Sequence, residues 1–353
     1  QEAEQACKEV LATHPKDFHA RGLLSQVYSI RGMFDEALVE ILQALRIKPR
    51  QAELLVLHGE ILMHRGRYRN ALVQFDKALK YRPGYEGALS SKANTYLRMG
   101  KPEKARQAIE KEGALSRKSL PLGTMHARVL IKCDQAGDAV ELLEGFQPLN
   151  PRESNEWQCS FWHALGDAHQ KLKQWDEACK AYDAGNLVHS KLGATIDQRT
   201  PEYELLQTTF TAETVRSLPR SKIDSSPYIF IVGMPLCGST LTEQIIDSHP
   251  GAHGIGESNR MPELAAGIQA RFNLEDPYPG CVSALDADQL QELADDYIEF
   301  VRIKSEDATH IVDKQLGNIQ HLGLIQSILP EARIIHCRRH PMDQGLSCWT
   351  KKM

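Results

Sequence analysis

Between Tyr228 and Pro250 the chain reads YIFIVGMPLCGSTLTEQIIDSHP, and its chemistry lies where Gly233 and Gly238 bracket a short excursion that runs into the hydroxyls of Ser239 and Thr240. Unpaired backbone N–H groups at a helix start, backed by the helix dipole and flanked by hydroxyls, suit a phosphate or sulfate oxyanion. Two further polar clusters carry charge that an anion would meet: Asp313-Lys314, and Arg338-Arg339 followed by Ser347.

These groups need elements to bring them together. The β-branched and aromatic run 228–232 reads as a buried parallel strand, and further strands are predicted at 309–312 and 332–337. Helices are predicted at 240–248, 287–304 and 316–329, and the alternation implies a parallel, doubly wound sheet. Ligands bind such sheets beyond the carboxyl ends of the strands, where all three clusters fall. Taken singly, each has a plainer reading: a tight strand-to-helix turn, or basic residues on a solvated surface. The loop has the glycines and Ser/Thr of a nucleotide-binding P-loop, but Gly238 stands where a Walker loop has lysine, which counts against a P-loop phosphotransferase.

The N-terminal half carries a different signal. Ala3, Ala37, Ala71, Ala105 and Ala139 recur every 34 residues, Gly32, Gly66 and Gly100 keep the same step, and so do Pro15, Pro49, Pro83 and Pro151, with Arg117 in the vacant proline slot. This is similar to the tetratricopeptide repeat, a helix pair with small residues at the helix contact, glycine at the turn and proline at the repeat end. Repeats are expected from Phe18, Ala52, Glu86 and Leu120, then from near Cys159 after a five-residue slip, with residues 1–16 as the second helix of an earlier repeat. Such pairs bury their apolar stripes against their neighbours and build a solenoid with a concave face.

The expected organisation is therefore a repeat solenoid at 1–190, a proline-punctuated helical connector at 191–226 with a helix near Glu202 to Val215, and an α/β domain at 227–353. The formal charge of −4 gives no general attraction to nucleic acid, and no run of about 18 uncharged apolar residues suggests a membrane span. Eight scattered cysteines without a CxxC pair favour reduced thiols and a cytoplasmic setting. A start at Gln1 and an end at Met353 read as a fragment.

The segments GMPLCGSTLTEQIIDSHPGAHGIGES, DKQLGN and ARIIHCRRHPMDQGLSCW together resemble the sulfotransferases that use 3′-phosphoadenosine 5′-phosphosulfate, especially tyrosylprotein sulfotransferases and bacterial proteins fusing tetratricopeptide repeats to such a domain. The resemblance implies a P-loop-like three-layer α/β/α domain truncated at its C-terminus. It implies that the loop Pro235, Leu236, Cys237, Gly238, Ser239, Thr240 and Leu241 holds the 5′-phosphosulfate, and that Arg339 and Ser347 hold the 3′-phosphate. Lys314 would touch the bridging oxygen, and Glu257 falls at the family's catalytic base.

These residue types suit the chemistry: sulfuryl transfer needs a base for the acceptor hydroxyl and positive charge where the leaving oxygen gains electrons. No metal is expected, because sulfuryl oxygens carry less charge than those of a transferred phosphoryl group. The plainer readings are a loop carboxylate or cap for Glu257, a helix hydroxyl bonding its own backbone for Ser347, and a packing or capping group for His249. The sequence departs from the family where Leu236-Cys237 replaces an Arg-Ser pair, and where Gln315-Leu316 follows Lys314 without the usual proline. The expected function is sulfuryl transfer to a tyrosine, carbohydrate or small-molecule hydroxyl, with an acceptor protein, peptide or carbohydrate held on the concave face. The alternative is a protein-binding repeat scaffold whose sulfotransferase-like domain is catalytically impaired.

Overall fold

The computed structural model describes residues 2–111, 113–147, 149–150, 153–191, 196–305 and 308–351. They fall into two compact units that divide at residues 192 and 193.

The first unit is helical. Helix α1 (Glu2–Thr13) precedes the pairs α2 (Phe18–Ile30) with α3 (Phe34–Ile47), α4 (Ala52–His64) with α5 (Tyr68–Tyr81), and α6 (Glu86–Arg98) with α7 (Pro102–Glu110). A single turn α8 (Gly113–Ser116) leads to α9 (Leu120–Lys132) with α10 (Ala136–Glu144), and then to α11 (Asn155–Lys171) with α12 (Trp175–His189). The expected starts at Phe18, Ala52, Glu86 and Leu120 are observed, whereas α11 begins at Asn155, ahead of Cys159, because the Ser154 hydroxyl caps it by accepting from the Trp157 N–H (3.4 Å).

The periodic residues have visible causes. Ala37, Ala71, Ala105 and Ala139 have no exposed surface, since each lies where neighbouring helices touch. A second register, which the sequence reading did not use, runs through the buried small residues Ser25, Gly59, Ala93, Ala127 and Gly166 and the buried large ones Ile41, Phe75, Ile109, Leu143 and Tyr182. A Cβ on Gly59 would lie 2.4 Å from the Phe75 ring, so the large residue of one helix needs the small one of its partner. The turn glycines Gly32, Gly66 and Gly100 take φ of 75°, 71° and 67°; the same left-handed slot is filled by Asp134 (59°) and Lys173 (60°). In all five turns the next residue donates its N–H five residues back, as Met33 does to Tyr28 (2.9 Å) and Gln174 to His169 (2.9 Å), satisfying a carbonyl left over at the helix end.

The second unit opens with α13 (Ile196–Thr209) and α14 (Ala212–Ser217), where one connector helix was expected. The Thr211 hydroxyl starts α14 by accepting from the Thr214 N–H (3.1 Å). Phe210, Leu218 and Ile223 pack into this unit's core, and the Ser221 hydroxyl donates to the Ile328 carbonyl (2.8 Å). There follow β1 (Tyr228–Gly233), α15 (Ser239–Asp247), β2 (Ala252–Gly254), α16 (Arg260–Phe272), α17 (Ala287–Ser305) and β3 (His310–Asp313). The predicted helix 316–329 is a 3₁₀ turn, Leu316–His321, followed by α18 (Leu322–Ile328); β4 (Arg333–Cys337) and α19 (Pro341–Trp349) complete the unit.

All four strands are parallel in the order β2-β3-β1-β4. Only the short β2 is absent from the sequence reading, because three residues give no pattern. Alternation along β1 sends Tyr228 and Phe230 into a core with Met261, Leu293, Tyr297 and Ile325 from α16, α17 and α18, while Ile229 and Ile231 face Ile246 of α15 on the other side. The result is an α/β/α arrangement with β1 in the middle, so the loop after β1 leaves the centre of the sheet. β4 lies at one edge, where Ile334 and His336 are exposed.

Candidate functional site

Chain segments that follow all four strands, β1, β2, β3 and β4, meet beyond their carboxyl ends. The first is the loop from Met234 to Gly238. Leu236 adopts φ 63° and Gly238 φ 98°, and this recurrence of left-handed residues turns backbone N–H groups toward a common side. Gly238 caps α15 without a side-chain bond, and the first helical bond runs from the Thr242 N–H to the Gly238 carbonyl (3.1 Å). The N–H groups of Ser239, Thr240 and Leu241 therefore have no helical acceptor.

The second segment follows β4. Arg339 donates to the Ser347 hydroxyl (2.9 Å) and to the Leu236 carbonyl (3.3 Å), so its guanidinium joins the loop to α19. Gln344 adds a bond from its side-chain amide to the Pro235 carbonyl.

The residues after β2 and those after β3 supply the rest. Lys314, 7% exposed, donates from Nζ to Glu257 Oε1 (2.7 Å) and from its backbone N–H to the Gly256 carbonyl (3.0 Å). Asp313 beside it is buried and accepts from the Tyr297 hydroxyl (2.8 Å) and the Gln315 N–H (2.9 Å), which fixes the strand end. Burial pushes the Asp313 carboxyl up to about 6, the Gln315 N–H opposing the rise, and burial with the neighbouring Asp313 charge raises the Tyr297 phenol.

One cleft of about 510 Å³ gathers Pro235, Leu236, Gly238, Ser239 and Thr240 of the loop with Glu257, Arg339 and Ser347. The other sequence-predicted site residues lie outside its lining. Cys237 is buried, Leu241 is exposed on α15, and Lys314 is covered by its pairing with Glu257. Leu316, Thr350 and Lys351 also line the cleft; the sequence offers Lys351 only as a stand-in for the arginine missing at Leu236, and Leu316 and Thr350 belong to none of the charged or glycine motifs. His249 is a capping group, accepting from the Gly251 N–H (3.1 Å). The sequence reading also missed Glu243, whose one signal is a carboxylate three residues before the inward-facing Ile246.

Backbone N–H groups at a helix start, an arginine bonded to the loop before it, and a carboxylate paired to a buried lysine thus lie together beyond the carboxyl ends of a parallel sheet. Residues 227–353 match the sulfotransferase family, and the second unit carries a sulfotransferase-family region. Residues 64–146 match the family of anaphase-promoting complex, cyclosome, subunit 3. An uncharacterised protein of Aquifex aeolicus (strain VF5) is 25% identical over 327 residues, covering 90% of this chain; the chain spans 42% of that relative's length. Among solved structures, the Cut9–Hcn1 hetero-tetramer of the anaphase-promoting complex is similar over 53% of this chain and 36% of that one (16% identity, TM-score 0.47). YrrB, described as a tetratricopeptide protein with an unusual peptide-binding site, is similar over 52% of this chain and 93% of its own (13% identity, TM-score 0.37). Among the described residues no helix is long and apolar enough to cross a membrane, and no group of three or more His, Cys, Asp or Glu is arranged to hold a metal ion.

Proposed function

We propose that this protein transfers a sulfuryl group from 3′-phosphoadenosine 5′-phosphosulfate to an acceptor hydroxyl. The observation that carries the reading is the convergence of Ser239, Thr240, Glu257, Arg339 and Ser347 on one cleft. The loop Pro235–Leu241 receives the 5′-phosphosulfate, with Cys237 and Leu241 contributing backbone rather than side chain, and Arg339 with Ser347 receives the 3′-phosphate. Glu257 takes the proton of the attacking hydroxyl, and Lys314 offsets the charge that builds on the leaving oxygen as the bond between sulfur and that oxygen breaks.

The 2.7 Å pair between Lys314 and Glu257 is then a resting arrangement. Neither group acts until the pair opens, and opening frees base and cation together. The helical repeats supply the surface on which a protein or peptide acceptor, a tyrosine side chain included, is recruited, and the setting is cytoplasmic.

A repeat scaffold with an impaired transferase domain is the second reading. It is favoured by Leu236, an apolar side chain 42% exposed in the cleft where the family resemblance places arginine. Calorimetric titration with 3′-phosphoadenosine 5′-phosphate and with AMP tests the site assignment common to both. The bisphosphate binds at least about tenfold more tightly if the cleft holds both phosphates, and equal affinities refute the assignment. Turnover with the activated sulfate donor then separates enzyme from scaffold.

A further inference from the structure

The proposed base and cation are not held by each other alone. Glu243 lies one turn into α15, the helix that opens with the oxyanion loop, and its side chain is only 12% exposed. Its Oε1 accepts the Gly256 N–H at 2.9 Å, and its Oε2 stands 3.9 Å from Lys314 Nζ. Gly256 is thus fixed on both sides, since its carbonyl accepts the Lys314 backbone N–H (3.0 Å). With φ at 73° it takes a conformation that other residues adopt only with strain. The approach of Glu243 is close: a Cβ on Gly254 would lie 2.9 Å from both its Cγ and its Oε1.

We propose that Glu243 is the positioning residue of this site: it sets the turn that carries Glu257 and remains as counter-charge to Lys314 when Glu257 leaves. The inference rests on the sulfuryl-transfer reading for its consequences in turnover, but not for its structural core. Exposure distinguishes the two carboxylates that face the ammonium. Glu257 is 61% exposed in its side chain and can exchange Lys314 for water or an acceptor hydroxyl, whereas Glu243 at 12% cannot. An ammonium 8% exposed in its side chain and stripped of both carboxylates would be uncompensated, which is strongly unfavourable. One carboxylate therefore lets Glu257 act without abandoning Lys314, and it links the anion-binding helix to the turn that bears the base.

Three variants test this. Glu243→Gln keeps the acceptor for Gly256 and removes the charge facing Lys314; Glu243→Ala removes both; Glu257→Gln serves as partner in a double-mutant cycle. Hydrogen exchange at the Gly256 amide is expected to speed up at least about tenfold in Glu243→Ala, as for a lost hydrogen bond, and to stay close to wild type in Glu243→Gln. The Tm loss of Glu243→Gln combined with Glu257→Gln is expected to exceed the sum of the single losses. Bisphosphate affinity stays within about threefold, while kcat falls about tenfold in Glu243→Gln and further in Glu243→Ala with the acceptor KM little changed. Unchanged Gly256 exchange in Glu243→Ala, or additive Tm losses, overturns the proposal. If Glu243→Ala fails to fold, the Gln variant and the cycle decide. A wild-type protein that neither binds the bisphosphate nor turns over refutes the sulfuryl-transfer reading alone, because exchange and melting still report on Glu243.

Discussion

Arg339 offers the sharpest test of how the cleft reads its ligand. Among the described residues its guanidinium contacts two neutral oxygens, those of Ser347 and Leu236, so its charge is available to an incoming anion. A charge-assisted hydrogen bond contributes about 1.5–3 kcal/mol, or roughly a tenfold to a hundredfold change in affinity. Arg339 is exposed, so the lower half of that range applies: Arg339→Ala weakens the bisphosphate about tenfold to thirtyfold. AMP lacks the 3′-phosphate and loses less than about threefold. Arg339→Lys retains the charge but not the fork that reaches both Ser347 and the loop, giving a loss of about threefold to tenfold. Calorimetry at low salt measures all six affinities, and repeating it at high salt shrinks the Arg339→Ala effect if charge is the cause. An equal loss for AMP and bisphosphate would show that Arg339 only braces the loop. No loss for either would move the 3′-phosphate elsewhere, with Lys351 of the same cleft the next cation to test.

Other substitutions address catalysis, the loop and stability. Glu257→Gln lowers turnover about a hundredfold or more while nucleotide affinity holds; retained turnover excludes it as the base. Leu236→Arg introduces a cation beside the loop and strengthens 5′-phosphate binding about tenfold, and an unchanged affinity means that another group already fills that role. Burial holds the His321 imidazole down at about 4, so between pH 6.5 and 4 the unfolded chain takes up a proton that the folded one refuses. Stability is lost as pH falls through that window, by about 2 kcal/mol after allowance for partial exposure, and His321→Gln removes the loss in denaturant titrations at pH 7 and pH 4.5. Asp313 acts in the opposite sense, since its raised carboxyl takes up a proton in the folded state first, so the wild-type profile is flatter than that of His321→Gln; parallel slopes for the two refute the assignment. Lys173→Gly relieves a left-handed turn (φ 60°) and raises stability by about 0.5–1 kcal/mol; a fall in Tm refutes the strain argument.

Much of the first unit is legible because its recurring constraints each demand a residue type. Alanine marks helix contact, glycine marks the left-handed turn, and proline marks the repeat end. Where the geometry persists without the residue, as at Asp134 and Lys173, nothing in the side chain announces it and only the period could. In the second unit the glycine loop between β1 and α15 is legible because its glycines and the strand before it are local. The partnership of Glu257 with Lys314 is a different matter, since it spans 57 residues and depends on β2 beside β3. Glu243 is further out of reach: one of its partners is a backbone N–H and the other is a lysine on a different strand end, so its spacing from Ile246 tells its face of the helix but not what it bonds.

The edge strand β4 bears on every solution measurement proposed above. Among the described residues it pairs with β1 on one side only, and the N–H and C=O groups along Arg333 to Cys337 that point the other way take no ladder partner there. Ile334 is 41% exposed there, and on neighbouring α19 Met342 is 75% and Leu346 59% exposed. A strand with outward groups of this kind can accept a further strand, from the same polypeptide or from another molecule. Where that strand comes from another molecule, protein concentration becomes a thermodynamic variable in its own right, ligand affinities compared between variants hold only at matched dilution, and sedimentation reports the fraction that has associated.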